Sequence, residues 1–203
     1  MIRTFLMGFS SGLPLLLTIS LLQAWLKEEG IDIVTIGFFA LVQLPYTWKF
    51  LWSPLLDRFK PFFLGRRRSW LLISQVLLIL SITGLAFANP SYNLKLTSLF
   101  AFLIAFFSAT QDIAIDAYRR EDLEDNELGI GSSFYIYGYR TAMLIASGGG
   151  LILAQYLTFT YVYLIMASFF IPSILITLIV PEPKRQARTK SHKESSNHFF
   201  TKK

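Results

Sequence analysis

Six stretches of about twenty residues or more, each nearly free of charge, run through this 203-residue chain and dictate its fold class. Thr4 to Leu26 is 23 residues without a charge, and Ser69 to Leu94 is 26. Ile33 to Trp52 carries one charge in 20 residues, Lys49. Leu96 to Tyr118 carries two in 23, Asp112 and Asp116. Gly129 to Gln155 carries Arg140 alone. Thr141 to Pro181 is 41 uncharged residues, too long for one crossing, and divides near Leu157–Thr160. A single such stretch fits a buried core helix. Six in series, in a chain that is 53% hydrophobic and 16% charged, lack the polar surface to cover them in water. The sequence therefore predicts an all-α, polytopic membrane protein. Its six-span bundle occupies residues 1–181, with spans near 4–26, 33–52, 69–88, 96–118, 131–155 and 160–180. A basic tail follows over 182–203. The first span exceeds the apolar core of a signal peptide and is read as uncleaved.

The net charge of +6 is no nucleic-acid signal, because the last 22 residues hold seven Lys/Arg and two acids, which is +5 of it. Basic residues in the connections set orientation. The second, fourth and terminal segments, with Arg3, hold 15, and the first, third and fifth connections hold 2. Both termini are expected in the cytoplasm, where a basic tail meets the anionic leaflet. With no cysteine, there is no disulfide, thiolate metal site or Cys nucleophile. His192 and His198 lie in the tail and are read as solvated, so no metal site is expected.

Charged side chains inside a span cost about 2.5–3.5 kcal/mol each on insertion scales and mark functional positions. At about 1.5 Å per residue, Lys49 lies roughly 24 Å below Ile33 and Asp112 roughly 24 Å below Leu96. Both fall in the cytoplasmic third. Arg140 is the deepest, roughly 14 Å above Gly131. Asp112 and Asp116 share a helix face with Ser108, and Gln111 adjoins it. Two carboxylates this close disfavour being charged together, and desolvation acts the same way, so the pair can hold a proton and release it on hydration. The alternative is a helix-end cap beside Arg119 and Arg120. Lys49 is either part of that site or snorkels to the interface. Arg140 is either part of it or a structural partner to one of the acids. Trp48, Trp52, Trp70, Tyr118 and Tyr135 are expected in an interfacial belt. Tyr46, Tyr137 and Tyr139 are deeper and either line a solute site or pack the bundle. Gly148-Gly149-Gly150 permits close helix approach or a local bend.

An intramembrane enzyme is not expected. Both acids sit on one helix without a Gly-x-Gly-Asp element, and both histidines are in the tail.

The loop after the second span reads Ser53-Pro-Leu-Leu-Asp57-Arg58, then Gly65-Arg66-Arg67-Arg68. It resembles the Gly-x-x-x-Asp-Arg-x-Gly-Arg-Arg loop motif of the major facilitator superfamily, with Ser53 for the first Gly and Lys60 to Leu64 lengthening the gap. Pro45-Tyr-Thr-Trp-Lys49, Thr110-Gln111-Asp112-Ile-Ala-Ile-Asp116-Ala-Tyr118-Arg119, Leu22-Gln-Ala-Trp-Leu-Lys-Glu-Glu-Gly30 and Gly12-Leu-Pro resemble AmpG-type muropeptide permeases from about Phe5 to Pro183. Acetyl-CoA transporters of the same superfamily share the Gln-Asp-Ile-Ala core, but Ala117-Tyr118 favours the permease. The resemblance implies proton-driven import of anhydromuropeptides across a bacterial inner membrane for wall recycling. It implies no cofactor beyond the proton gradient. It implies a cytoplasmic gate at Asp57, Arg58, Arg66 and Arg67, and points to Asp112 and Asp116 as functional carboxylates. The residues themselves add Gln111, Lys49 and Arg140 as further coupling candidates and Tyr46 and Tyr137 as candidate lining. Such permeases have two six-helix halves, each built as two inverted three-helix repeats. The chain is expected to be the first half, acting with a second half or another copy. The alternatives are a truncated fragment without transport and a relative of different substrate.

The 15-to-2 asymmetry predicts that a reporter active only in the periplasm, fused after Lys203, stays silent. Strong periplasmic signal would overturn the orientation.

Overall fold

The computed structural model describes residues 1–61, 64–124 and 126–183. The basic tail expected over 182–203, with His192 and His198, lies outside the described residues from 184 onward. The described chain is helical, without a strand. The helices are α1 (Ile2–Glu28), α2 (Ile33–Leu51), α3 (Ser53–Arg58), α4 (Arg66–Phe87), α5 (Leu94–Asp122), α6 (128–154) and α7 (Phe159–Ile179). Five of these, α1, α2, α4, α5 and α7, are long and apolar enough to cross a membrane. The α6 helix is as long, but Arg140, three tyrosines and six glycines dilute its apolar content.

The ends of the helices are explained locally. Asp32 caps α2, accepting from the Thr35 N–H at 2.9 Å and the Thr35 hydroxyl at 2.6 Å. Asn93 caps α5 by accepting from the Leu96 N–H. Pro14 lies inside α1 and cannot donate to the preceding turn. The helix answers with a π-turn over Leu17–Leu21, in which the Thr18 hydroxyl bonds the Pro14 and Leu15 carbonyls. A second π-turn, Ile145–Gly149, interrupts α6 and overlaps the Gly148-Gly149-Gly150 stretch expected to pack closely or bend.

Contacts assign the ends of the bundle. Met7 of α1, Leu71 of α4, Ile115 and Tyr118 of α5 and Val180 after α7 form one cluster, against which Tyr135 of α6 packs. The starts of α1, α4 and α6 therefore meet the finishes of α5 and α7. At the opposite end the Ser91 hydroxyl bonds Glu29, and Trp25 stacks on Phe159 at 5.5 Å. The connections thus alternate between two ends, as the charge count requires. The pairs α1–α6 and α5–α2, α4–α5 and α7–α1, α1–α5 and α4–α7 are neighbours. These pairs exchange with one another when α1 is swapped with α5, α2 with α6 and α4 with α7, whereas the α6–α7 and α1–α2 contacts have no counterpart of that kind.

The α1 helix is the centre. Its most apolar window is 61% buried, whereas that of α2 is 17% buried and leaves Phe38, Leu41, Trp48 and Phe50 exposed. The tightest packing joins α1 to α6. A Cβ on Gly8 would sit 2.1 Å from the Tyr135 carbonyl oxygen, one on Gly12 2.4 Å from that of Tyr139, and one on Gly138 2.0 Å from that of Phe5. Both contact series advance together, so the two helices run parallel. The expected triplet is not the main site of close approach. Gly148 faces open space, and only Gly150 is close to its neighbour, Leu21. The missed signal is Gly8-x-x-x-Gly12, a small-residue seam of the kind that lets helix backbones touch in lipid.

The belt expectation needs correction at three positions. Tyr118 is buried and its hydroxyl donates to the Pro181 carbonyl at 2.8 Å. Trp52 donates to the Thr110 hydroxyl and packs on Phe106. Tyr135 bonds inward to Ser11. Each ring has a polar partner inside the bundle, so water contact is unnecessary.

Gly12→Ala should force α1 and α6 apart and destabilise the bundle by about 1–3 kcal/mol, seen as a lower melting temperature in detergent. Gly148→Ala, in open space, should leave it within about 0.5 kcal/mol. Equal melting of both variants would refute the seam.

Candidate functional site

Three arginines open α4, at the helix end whose partial charge is positive. Three acids from distant segments offset this. The Glu182 carboxylate accepts from the backbone N–H groups of Arg67 at 2.8 Å and Arg68 at 3.1 Å. Glu121, in the last turn of α5, accepts from Arg67 Nη2 at 2.7 Å and lies 3.3 Å from Arg66 Nη2. Asp57 of α3 accepts from Arg67 Nη1 at 2.5 Å, and its backbone carbonyl accepts from Arg66. Gly65 precedes the helix at φ 109°, and a Cβ there would meet Glu182 at 2.3 Å, so glycine is required on both counts. Arg68 reaches back to the carbonyls of Thr177 and Leu178, closing the finish of α7. The two helix termini thus cap each other.

The expected gate residues Asp57, Arg66 and Arg67 are therefore joined in one network with Arg67, 7% exposed, at its centre. Arg58 is exposed and forms no ion pair among the described residues. Sequence reasoning missed Glu121 and Glu182. Glu121 sits in an acidic loop that gives no reason to single it out, and Glu182 is 115 positions from its partner.

Beside this network is a cleft of about 360 Å³ lined by Lys49, Ser53, Asp57, Arg67 and Asp116 among others. Lys49 is half-buried and lines the cleft. The cleft holds two cations and two carboxylates, a balanced polar lining at the basic end.

The expected carboxylate pair is given separate partners. Asp112 accepts from the Ser11 hydroxyl of α1, and the Tyr135 hydroxyl of α6 donates to Ser11 at 2.9 Å. Three helices meet at this point. Asp116 is exposed and lies 3.3 Å from Arg119, whose guanidinium covers the Tyr135 ring at 4.3 Å. The helix-end cap reading thus describes Asp116, and Asp112 faces the interior. Gln111 is buried and donates to the Ser10 hydroxyl at 3.0 Å, leaving its carbonyl oxygen without a partner. The buried hydroxyls of Tyr46 and Ser108 face each other, and Tyr46 lies near Asp112.

Arg140 corrects an expectation. It is exposed on α6 and pairs with neither acid. Tyr137 is 68% exposed on the same helix. Ser10-Ser11, a polar pair within the apolar first span, was the sequence signal for the α1 contribution.

Residues 4–203 match the family profile of the Major Facilitator Superfamily. The chain is 48% identical to the anhydromuropeptide permease of Escherichia coli (strain K12) over 179 residues, which is 88% of this chain and 36% of that relative. It is 48% identical over 178 residues to an uncharacterized protein of Haemophilus influenzae, covering 87% of the chain and 42% of the relative. Putative transporter AmpG 1 of Rickettsia bellii is 39% identical over 179 residues, 86% of the chain and 43% of the relative. The chain thus spans less than half the length of these curated relatives.

Arg67→Leu should strand Asp57 and Glu121 and cost about 3 kcal/mol, the low end for a broken buried pair. Arg58→Leu should change stability by no more than about 0.5 kcal/mol. Melting of the two variants in detergent tests this, and equal losses would dissolve the network assignment.

Proposed function

From the premise that this chain belongs to the major facilitator superfamily, we propose that it forms one six-helix half of a proton-coupled permease that imports anhydromuropeptide-type solutes into the bacterial cytoplasm. The observation that carries this reading is the identity to a named anhydromuropeptide permease along nearly the whole chain. The seat of the motif residues supports it. The protein resides in the inner membrane with its basic end, and so the Asp57–Arg67–Glu121 network, in the cytoplasm. A second six-helix half, or another copy, covers the faces of α2 and α6 that this chain leaves open. The solute binds near the midplane between the two halves, as in transporters built from repeats. Tyr46, Tyr137 and Arg140 contribute to that surface.

In this mechanism Asp112 takes up a proton when its surroundings hydrate, and gives it up on the cytoplasmic side. Asp116, Lys49 and Gln111 surround it and hold the local charge in balance. Asp57, Arg58, Arg66 and Arg67 form the cytoplasmic gate. Paired, Asp57 of α3 and the α4 arginines Arg66 and Arg67 hold α3 against the start of α4. Separated, they let the basic end open. The gradient supplies the energy, and no bound cofactor is required.

Uptake of labelled anhydromuropeptide by a recycling-deficient strain, carrying this chain together with a second six-helix half, tests the reading. One charge moved through 100 mV is worth about 2.3 kcal/mol, so Asp112→Asn should cut accumulation roughly fifty-fold per folded molecule. Normal, pH-dependent accumulation by an Asp112→Asn/Asp116→Asn variant would remove both residues from the mechanism. No uptake of this solute by the unaltered pair would refute the substrate.

A further inference from the structure

Asp112 and Asp116 sit one turn apart on α5 but bind different partners, and one side chain touches both sets. The Tyr135 hydroxyl donates to Ser11, the partner of Asp112. The Tyr135 ring lies under Arg119, the partner of Asp116. Among the described residues no other side chain does this. We propose that Tyr135 is the positioning residue of the carboxylate pair, and that through Ser11 it carries the protonation state of Asp112 from α5 to α6. The proposal rests on Asp112 being the proton-bearing group.

Donors and acceptors fix the order of this chain of hydroxyls. An ionised carboxylate only accepts, and a hydroxyl carries a single hydrogen. With Asp112 charged, the order is therefore set: Tyr135 donates to Ser11, and Ser11 donates to Asp112. A proton arriving on Asp112 makes it a donor. That O–H needs an acceptor, and Ser11 Oγ is the hydrogen-bond partner of Asp112 among the described residues. With the proton on Oδ1, the oxygen that faces Ser11, the Asp112 O–H points to Ser11, the Ser11 O–H turns to the Tyr135 oxygen, and the Tyr135 O–H swings off Ser11. No covalent bond changes except that to the arriving proton. The outcome is a reversed hydrogen-bond chain across α5, α1 and α6.

The surroundings leave few competitors. Facing Asp112 are Tyr46 and Lys49 from α2, Tyr135 and Tyr139 from α6, Ser11 from α1, and Asp116 on its own helix. Ser11 is 1% exposed, so bulk water does not intervene at the middle link. The backbones of α1 and α6 touch at Gly8 and Gly12, on either side of Ser11, so the geometry is held from both directions. Chains of hydroxyls in a low-dielectric setting polarise one another, so a change at one end is felt at the other.

Infrared difference spectra between acid and neutral pH test this on the chain itself, reconstituted in liposomes, with ring-deuterated tyrosine to mark the phenol bands. Circular dichroism checks that each variant is folded. The unaltered chain should show a carboxyl C=O band that Asp112→Asn removes, together with a tyrosine band shift. That shift should disappear in Tyr135→Phe, which keeps the ring under Arg119, and also in Asp112→Asn. The carboxyl band should survive Tyr135→Phe. Ser11→Ala should keep the carboxyl band and lose the tyrosine shift. If Ser11→Ala does not insert, the other two variants decide. A tyrosine shift that persists in Asp112→Asn, or a carboxyl band with no tyrosine shift in the unaltered chain, would overturn the relay and leave the coupling role of Asp112 standing. Absence of any carboxyl band that Asp112→Asn removes would overturn the coupling role, and the relay with it.

Discussion

The backbone contact between α1 and α6 is the constraint on which the rest of the bundle depends. Gly8, Gly12 and Gly138 allow the two helices to approach until one chain's Cα positions meet the other's carbonyl oxygens. Lipid offers no hydrophobic gain for helix association, so close packing and interhelical hydrogen bonds must supply it. This contact also sets the reach of the polar groups. Ser11 lies between the two α1 glycines, and Tyr135 is the residue Gly8 touches. A wider separation would carry the Tyr135 hydroxyl beyond its 2.9 Å bond to Ser11 and leave Asp112 joined to α1 alone.

A second constraint acts at the basic end. Three arginines at the start of a helix oppose the helix dipole, so α4 needs acids near its first turn. They come from three places in the chain: Asp57 after α2, Glu121 at the end of α5 and Glu182 after α7. The network therefore ties together every helix that ends there except α1 and α6. Those two are held by the cluster of Met7 with Tyr118, Val180 and Tyr135. Charge and apolar packing divide the same end between them.

The polar interior follows from these two. Asp112, Ser11 and Tyr135 meet beside the glycine seam that joins α1 to α6. The cleft lined by Lys49, Asp57, Arg67 and Asp116 opens between that junction and the arginine network. The two regions of charge are thus neighbours, linked along α5 by Asp112, Asp116 and Glu121. Any movement of α5 relative to α4 alters both.

Hydropathy and charge patterning carried much of the architecture. The all-helical class was legible, and five of the observed helices are long and apolar enough to cross a membrane, because a span must be about 20 apolar residues and must close its own backbone hydrogen bonds. The alternation of the connections was legible from Lys and Arg, and Asp57, Arg67 and Asp112 were legible as charges in or beside a membrane segment. Partners were not. The sequence placed Asp112 and Asp116 on one face, but their separate partnering depends on where α1 and α6 pack. It offered Arg140 either as part of the site or as a partner for an acid, and α6 turns that side chain outward. It put Tyr118 and Trp52 in a belt, and the bundle offers them a carbonyl and a hydroxyl instead. Periodicity and composition act within one helix. The azimuth and separation of helices arise from side chains that meet across more than a hundred residues of chain, such as Gly65 with Glu182 and Ser11 with Asp112, and only the tertiary structure decides those.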